Sequence, residues 1–147
     1  MFLSIGDLAQ RTGVKVPTIR YYESRGLLDA PQRSAGNQRR YGQTELERLG
    51  FIRHARDLGF SLRAIAQLIE LQNHPDRSCE AATRIAQSQL EAVRQKIRRL
   101  QALEAELERI TQGCTGDGVS RECHVLASLA DHALCLDDHA PDTGPDV

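Results

Sequence analysis

Tryptophan is absent from the 147 residues, methionine occurs once, and there are only three Phe and three Tyr. A core built on packed rings is therefore not expected, and burial has to come from aliphatic side chains. No apolar run reaches the roughly 18 residues that would suggest a transmembrane helix. The start, MFLSIGDLAQ, has neither a basic n-region nor a long apolar h-region, so no secretory leader is expected and the chain reads as cytoplasmic. No internal repeat or low-complexity tract stands out. Nucleophile–base arrangements, Gly-rich phosphate loops and paired carboxylates at a plausible site are also missing, so an enzyme is not expected. Cysteines number four. In a reducing compartment that usage points to metal or redox chemistry rather than structural disulfides.

Hydrophobic residues make up 40% of the chain and charged residues 27%, an ordinary globular balance. The net charge of −1 conceals an asymmetry, with residues 1–77 carrying +4 and residues 78–147 carrying −5. The first half could meet a polyanion and the second is unsuited to one.

The chain reads as mainly α. Ser4 can cap a first helix, IGDLAQRT, closed by Gly13, with Ile5, Leu8 and Ala9 on one apolar face. Pro17 suits the first turn of a second helix that stops at Gly26. Two short helices joined by a Gly-containing turn suggest a helix-turn-helix, although many helical hairpins share that pattern. The following LLDAPQRSAGNQRRYG has Pro31, a Gly36-Asn37 turn, Arg33, Arg39, Arg40 and Tyr41. It reads as a basic hairpin or wing able to lay guanidinium groups on phosphates. Thr44 and Glu47 suggest a capping box opening a third helix to about Gly59, and Ser61 a cap for a fourth. Asp76 or Ser78 would cap a fifth.

From about Glu80 to Thr111 nothing breaks a helix. Leu90, Val93, Ile97, Leu100, Leu103, Leu107 and Ile110 succeed each other at spacings of 3, 4, 3, 3, 4 and 3. That stripe is close to a coiled-coil seam, and the simplest partner for it is a second copy of the chain. Cys79 lies at one end of this segment and Cys114 just past the other. Roughly 32 helical residues hold them about 48 Å apart, so one chain cannot bring them to one ligand. In an antiparallel dimer, Cys79 of one subunit approaches Cys114 and Cys123 of its partner. Three thiolates suit Zn(II), Cd(II), Pb(II), Hg(II) or Cu(I), with His124, His132, Asp117 and Cys135 as possible further ligands. Redox sensing through Cys114 and Cys123, and inert thiols, remain as alternatives. His54 and His74 read as surface or core residues.

The segments IGDLAQRTGVKVPTIRYYESRGLL, RSAGNQRRY and RHARDLGFSLRAIAQLI resemble the MerR family of transcription activators over roughly residues 3–130. The resemblance implies an N-terminal winged helix-turn-helix, a connecting helix pair and a long dimerisation helix forming an antiparallel coiled coil. It implies a homodimer on a palindromic operator in promoter DNA, with RNA polymerase as an indirect partner and no membrane. Metal binding would untwist the operator and so activate resistance or efflux genes. By motif match Thr18, Arg20 and Tyr21 fall on the recognition helix, and Arg33, Arg39 and Tyr41 in or beside the wing, and the resemblance implies that all six bind DNA. Cys79, Cys114 and Cys123 match the cysteine pattern of the sensors of Hg(II), or of Zn(II), Cd(II) and Pb(II), with zinc and mercury foremost. The Cu(I) sensors have a serine where Cys79 stands. Gln38 replaces an aromatic common among relatives, and Cys135 is outside the common triad.

The expected domains are 1–75 for the DNA-binding part, 76–112 for the dimerisation helix, 113–136 for the metal loop and a short helix, and 137–147 for a disordered tail. The alternatives are a thiol redox regulator on the same scaffold and a metal-buffering protein without DNA function.

Overall fold

The computed structural model describes residues 2–113, 116 and 118–131. It separates into two compact units, residues 1–89 and 90–147.

The first unit opens with α1 (Ile5–Thr12). The Ser4 hydroxyl accepts from the Asp7 N–H at 3.1 Å, and the Asp7 carboxylate accepts from the Ser4 N–H at 3.0 Å. Each side chain thus satisfies an amide that the first helical turn would leave open. The helix ends at Gly13, whose φ of 71° places it in the left-handed region. The hydroxyl of Thr12 donates to the Leu8 carbonyl at 2.7 Å and accepts from the Val14 N–H at 3.3 Å, which tightens the turn. Pro17 then sits in the first turn of α2 (Val16–Ser24).

Two short antiparallel strands come next, β1 (Gln32–Arg33) and β2 (Arg39–Arg40), with Gln32 opposite Arg40 and Arg33 opposite Arg39. Asn37 turns the chain between them with a φ of 63°. This is the wing. Tyr41 continues it as a bridge to Leu3, with backbone hydrogen bonds of 2.7 and 2.8 Å.

Helix α3 (Gln43–Asp57) starts earlier than the Thr44–Glu47 pattern suggested. Gly42 is the cap residue, and its N–H donates to the Glu45 carboxylate at 2.7 Å. Thr44 already lies inside the first turn, and Glu47 accepts instead from Gln43 at 2.9 Å. Ser61 caps α4 (Leu62–Gln72), accepting from the Ala64 N–H at 3.1 Å. Leu8, Ile19, Tyr41, Leu49, Ile52 and Ile65 are fully buried where α1, α2, the wing base, α3 and α4 meet. Each aliphatic side chain sealed this way contributes roughly 1.5–3 kcal/mol relative to exposure.

Helix α5 (Glu80–Gln112) runs for 33 residues, its start helped by Ser78, whose hydroxyl accepts from the Glu80 N–H at 3.2 Å. In the second unit its apolar stripe is open. Leu90, Ile97, Leu100 and Leu107 are 47–64% exposed, and only Ile110 is buried. A 3₁₀ turn (Ser120–Glu122) and α6 (His124–Ala130) complete the described residues. The expected tail, 137–147, lies outside them.

Candidate nucleic-acid interface and thiol site

Helix α2 divides its faces by position. Ile19 and Tyr22 point into the core, while Arg20 and Tyr21 are exposed and Thr18 is half-buried. Arg20 and Tyr21 are therefore free to meet a duplex. On the wing, Arg33 is exposed, and its Nη1 donates to the Asn37 side chain at 3.1 Å and to the Asn37 carbonyl at 3.3 Å. The guanidinium is thereby tied to the wing tip. Arg39 faces Glu23 of α2, with Nη1 and Oε2 3.8 Å apart.

Tyr41 departs from the sequence-based expectation. Its ring is fully buried and its hydroxyl donates to Oε1 of Glu23. A phenol sealed in the core cannot present itself to DNA, so Tyr41 supports the wing from beneath. Burial, and then the hydrogen bond to Glu23, push its pKa above the usual 10.0. Glu23 is a partner of the wing that the sequence did not reveal. It lies 18 positions from Tyr41, and no local pattern marks a helical glutamate as the partner of a distant hairpin. Arg53, which donates to the Thr12 carbonyl, was equally hidden.

The second set of residues carries sulfur. Cys79 is exposed one position before α5. Cys123 is half-buried immediately before α6, and its N–H donates to the Ser120 carbonyl at 3.1 Å. Beside Cys123 is a hollow of about 290 Å³, bordered by Gly113, Gly116, Gly118, Val119, Ser120, Glu122 and Leu126. The glycines leave room. A Cβ at 116 or 118 would meet nothing within 4 Å. At 113 a Cβ would lie 2.5 Å from the His124 ring, so glycine is what lets the imidazole close on the end of α5. His124 Nδ1 lies 3.2 Å from the Ile110 carbonyl, which fastens the start of α6 to α5. This contact makes His124 first of all an anchor of the loop.

Cys114, Asp117, His132 and Cys135 lie outside the described residues. Among the described residues, no group of three or more His, Cys, Asp and Glu side chains could hold an ion. The donor type nonetheless fits a thiophilic cation, since sulfur next to a roomy glycine-bordered hollow suits a soft or borderline ion.

Residues 3–72 match the MerR HTH family regulatory protein profile, and residues 46–110 match the profile described as MerR, DNA binding. The chain belongs to the MerR family of helix-turn-helix regulatory proteins, which are transcriptional regulators and not enzymes. Among its relatives, the HTH-type transcriptional regulator ZntR of Escherichia coli K12 is 38% identical over 85% of this chain and 90% of its own. The mercuric resistance operon regulatory protein of Pseudomonas fluorescens is 39% identical over 86% of this chain and 87% of its own. Among solved structures, the transcription regulator PbrR691 from Ralstonia metallidurans CH34, in complex with lead(II), superposes with a TM-score of 0.76. It is 39% identical and covers 86% of this chain and 98% of that one. No helix among the described residues is long and apolar enough to cross a membrane.

Proposed function

We propose that this chain is a metal-responsive transcriptional regulator. It binds promoter DNA as a homodimer in the cytoplasm and activates metal resistance or efflux genes when a thiophilic divalent ion is bound. The observation that carries the reading is the join of two chemistries by one helix. A winged helix-turn-helix precedes α5 and cysteines flank both of its ends, and the relatives include a regulator named for mercury resistance and one solved with lead.

In this reading α2 enters the major groove with Arg20 and Tyr21, and the wing lays Arg33 and Arg39 on the phosphates. The open stripe of α5 pairs with the same stripe of a second copy in antiparallel fashion. That arrangement brings Cys79 of one subunit to Cys114 and Cys123 of the other, because 33 helical residues stand between them within one chain. When bound, the ion supplies a cross-link between thiolates of two subunits. His124 holds the start of α6 to the end of α5, and Gly113 leaves room for its ring. Untwisting DNA costs roughly several kcal/mol. The bound state must favour the distorting conformation by a comparable differential, and a clamp across subunits is suited to that. Polymerase would then read both promoter elements.

The metal belongs to the group Zn(II), Cd(II), Pb(II) and Hg(II), with zinc and mercury as the first candidates. Titration of the reduced protein with these ions and Cu(I), read by competition in wild type and Cys79→Ser, tests the reading. Stoichiometric divalent binding that the substitution abolishes is expected. Cu(I) binding with no divalent preference would contradict it.

A further inference from the structure

The wing is a small structure with a demanding task. Each of its strands has two residues, and a two-stranded hairpin of that size is not stable alone. The Tyr41 side chain, the Leu3 bridge and Glu23 tie it to the rest of the unit. Glu23 is unusual in this group. It stands on the helix that carries Arg20 and Tyr21, and it brings a negative charge to a face meant for phosphates. Its side chain is only 11% exposed. One carboxylate oxygen accepts from the Tyr41 hydroxyl, and the other faces Arg39 of β2 at 3.8 Å.

We propose that Glu23 is a positioning residue for DNA reading, which holds the Arg39 guanidinium at a set place beside α2 and thereby contributes to sequence selectivity without touching the duplex. The proposal rests on the DNA-binding reading above. An arginine side chain has large rotamer freedom, and fixing it on a duplex is entropically unfavourable. A carboxylate that already restrains it removes part of that loss. Arg39 presents five N–H donors in a planar fork. Only one nitrogen faces Glu23, at ion-pair rather than hydrogen-bond distance, so the other donors remain available to phosphate or a base edge. The Tyr41 hydroxyl keeps the carboxylate itself from swinging. Selectivity arises because a pre-aimed Arg39 fits the groove shape of the right sequence, whereas a mobile one adapts to any phosphate.

The test uses the reduced full-length protein and two duplexes. One is a duplex that the wild-type protein enriches from a random-sequence pool, and the other is a scrambled duplex of equal composition. In Glu23→Gln the preference for the enriched duplex falls about fivefold, while affinity for the scrambled one does not fall, since the change removes a negative charge from the phosphate-facing surface. In an Arg39→Ala background, Glu23→Gln makes no further difference to that preference. A structural role alone would lower both affinities together, or add in full to the Arg39→Ala loss, and either result overturns the proposal. Tyr41→Phe leaves the ring in the core and removes only the donor. It gives a smaller selectivity loss, also absent in the Arg39→Ala background, and serves where Glu23→Gln does not fold. If the wild type enriches no sequence, the DNA-binding reading fails first. That result is distinct from a Glu23→Gln protein that selects as the wild type does.

Discussion

Arg53 of α3 donates to the carbonyl of Thr12, the last residue of α1, across 41 positions of sequence. Its guanidinium lies over Gly13, so the glycine that ends α1 also makes room for the group that satisfies that end. The turn of the helix-turn-helix is held from outside by a third helix.

Gly13→Ala should therefore be destabilising for two reasons. The φ of 71° is unfavourable for a residue with a Cβ, and the added carbon would meet the Arg53 guanidinium. The backbone term alone is about 1–2 kcal/mol. Arg53→Ala should cost about 1–3 kcal/mol by leaving the Thr12 carbonyl without its partner. Chemical denaturation of both variants checks this. A Gly13→Ala protein as stable as wild type would mean that the turn relaxes freely.

At the other end of α1, Ser4 and Asp7 satisfy each other's amides. The hydrogen bonds from Ser4 lower the pKa of Asp7 below its ordinary 3.8. A lowered folded-state pKa stabilises the fold above the ordinary value, and that contribution is lost as pH falls through the folded one. Asp7→Asn should therefore melt earlier than wild type near neutral pH, and the two curves should converge in acid. Thermal midpoints measured against pH read this directly. A gap that stays constant down to strongly acid pH would contradict the assignment.

The exposed stripe on α5 predicts the state of assembly. Leu100 is 64% exposed at the middle of that stripe. Leu100→Arg should convert a dimer to monomer, because a charge would be buried in the seam. Sedimentation equilibrium of the reduced protein checks it. A wild type that sediments as a monomer would remove the basis for a site shared between chains.

Much of the fold was legible because its signals are local. Ser4, Pro17 and Ser61 mark helix starts by chemistry that acts within one turn, and the stripe from Leu90 to Ile110 fixes the long helix by period alone. The start of α3 is ambiguous in the sequence because two overlapping frames offer a glutamate at the third position. Thr44 has an oxygen to give and Gly42 has none, yet the chain uses the frame in which Glu45 reaches back to Gly42. Tyr41 escapes a local reading for a different reason. A tyrosine ending a basic hairpin looks like a surface residue, and its burial depends on Leu3 and Glu23, both remote in sequence. For the proposed thiol site, the sequence shows the cysteines at 79 and 123 but not their surroundings. The anchoring by His124 against Gly113 is hidden in the same way, since it requires the end of a helix and the start of the next to meet.

The most direct measurement mixes two crippled subunits. Cys79→Ser and Cys123→Ser proteins, each alone, should bind no divalent ion tightly. A purified heterodimer of the two has one end in which Cys79 and Cys123 both persist, contributed by different chains, and another in which both are lost. It should bind one ion per dimer, half the wild-type amount, and regain metal-dependent activation in part. A heterodimer that binds none would mean that each site is built within a single chain, and the shared clamp would be wrong.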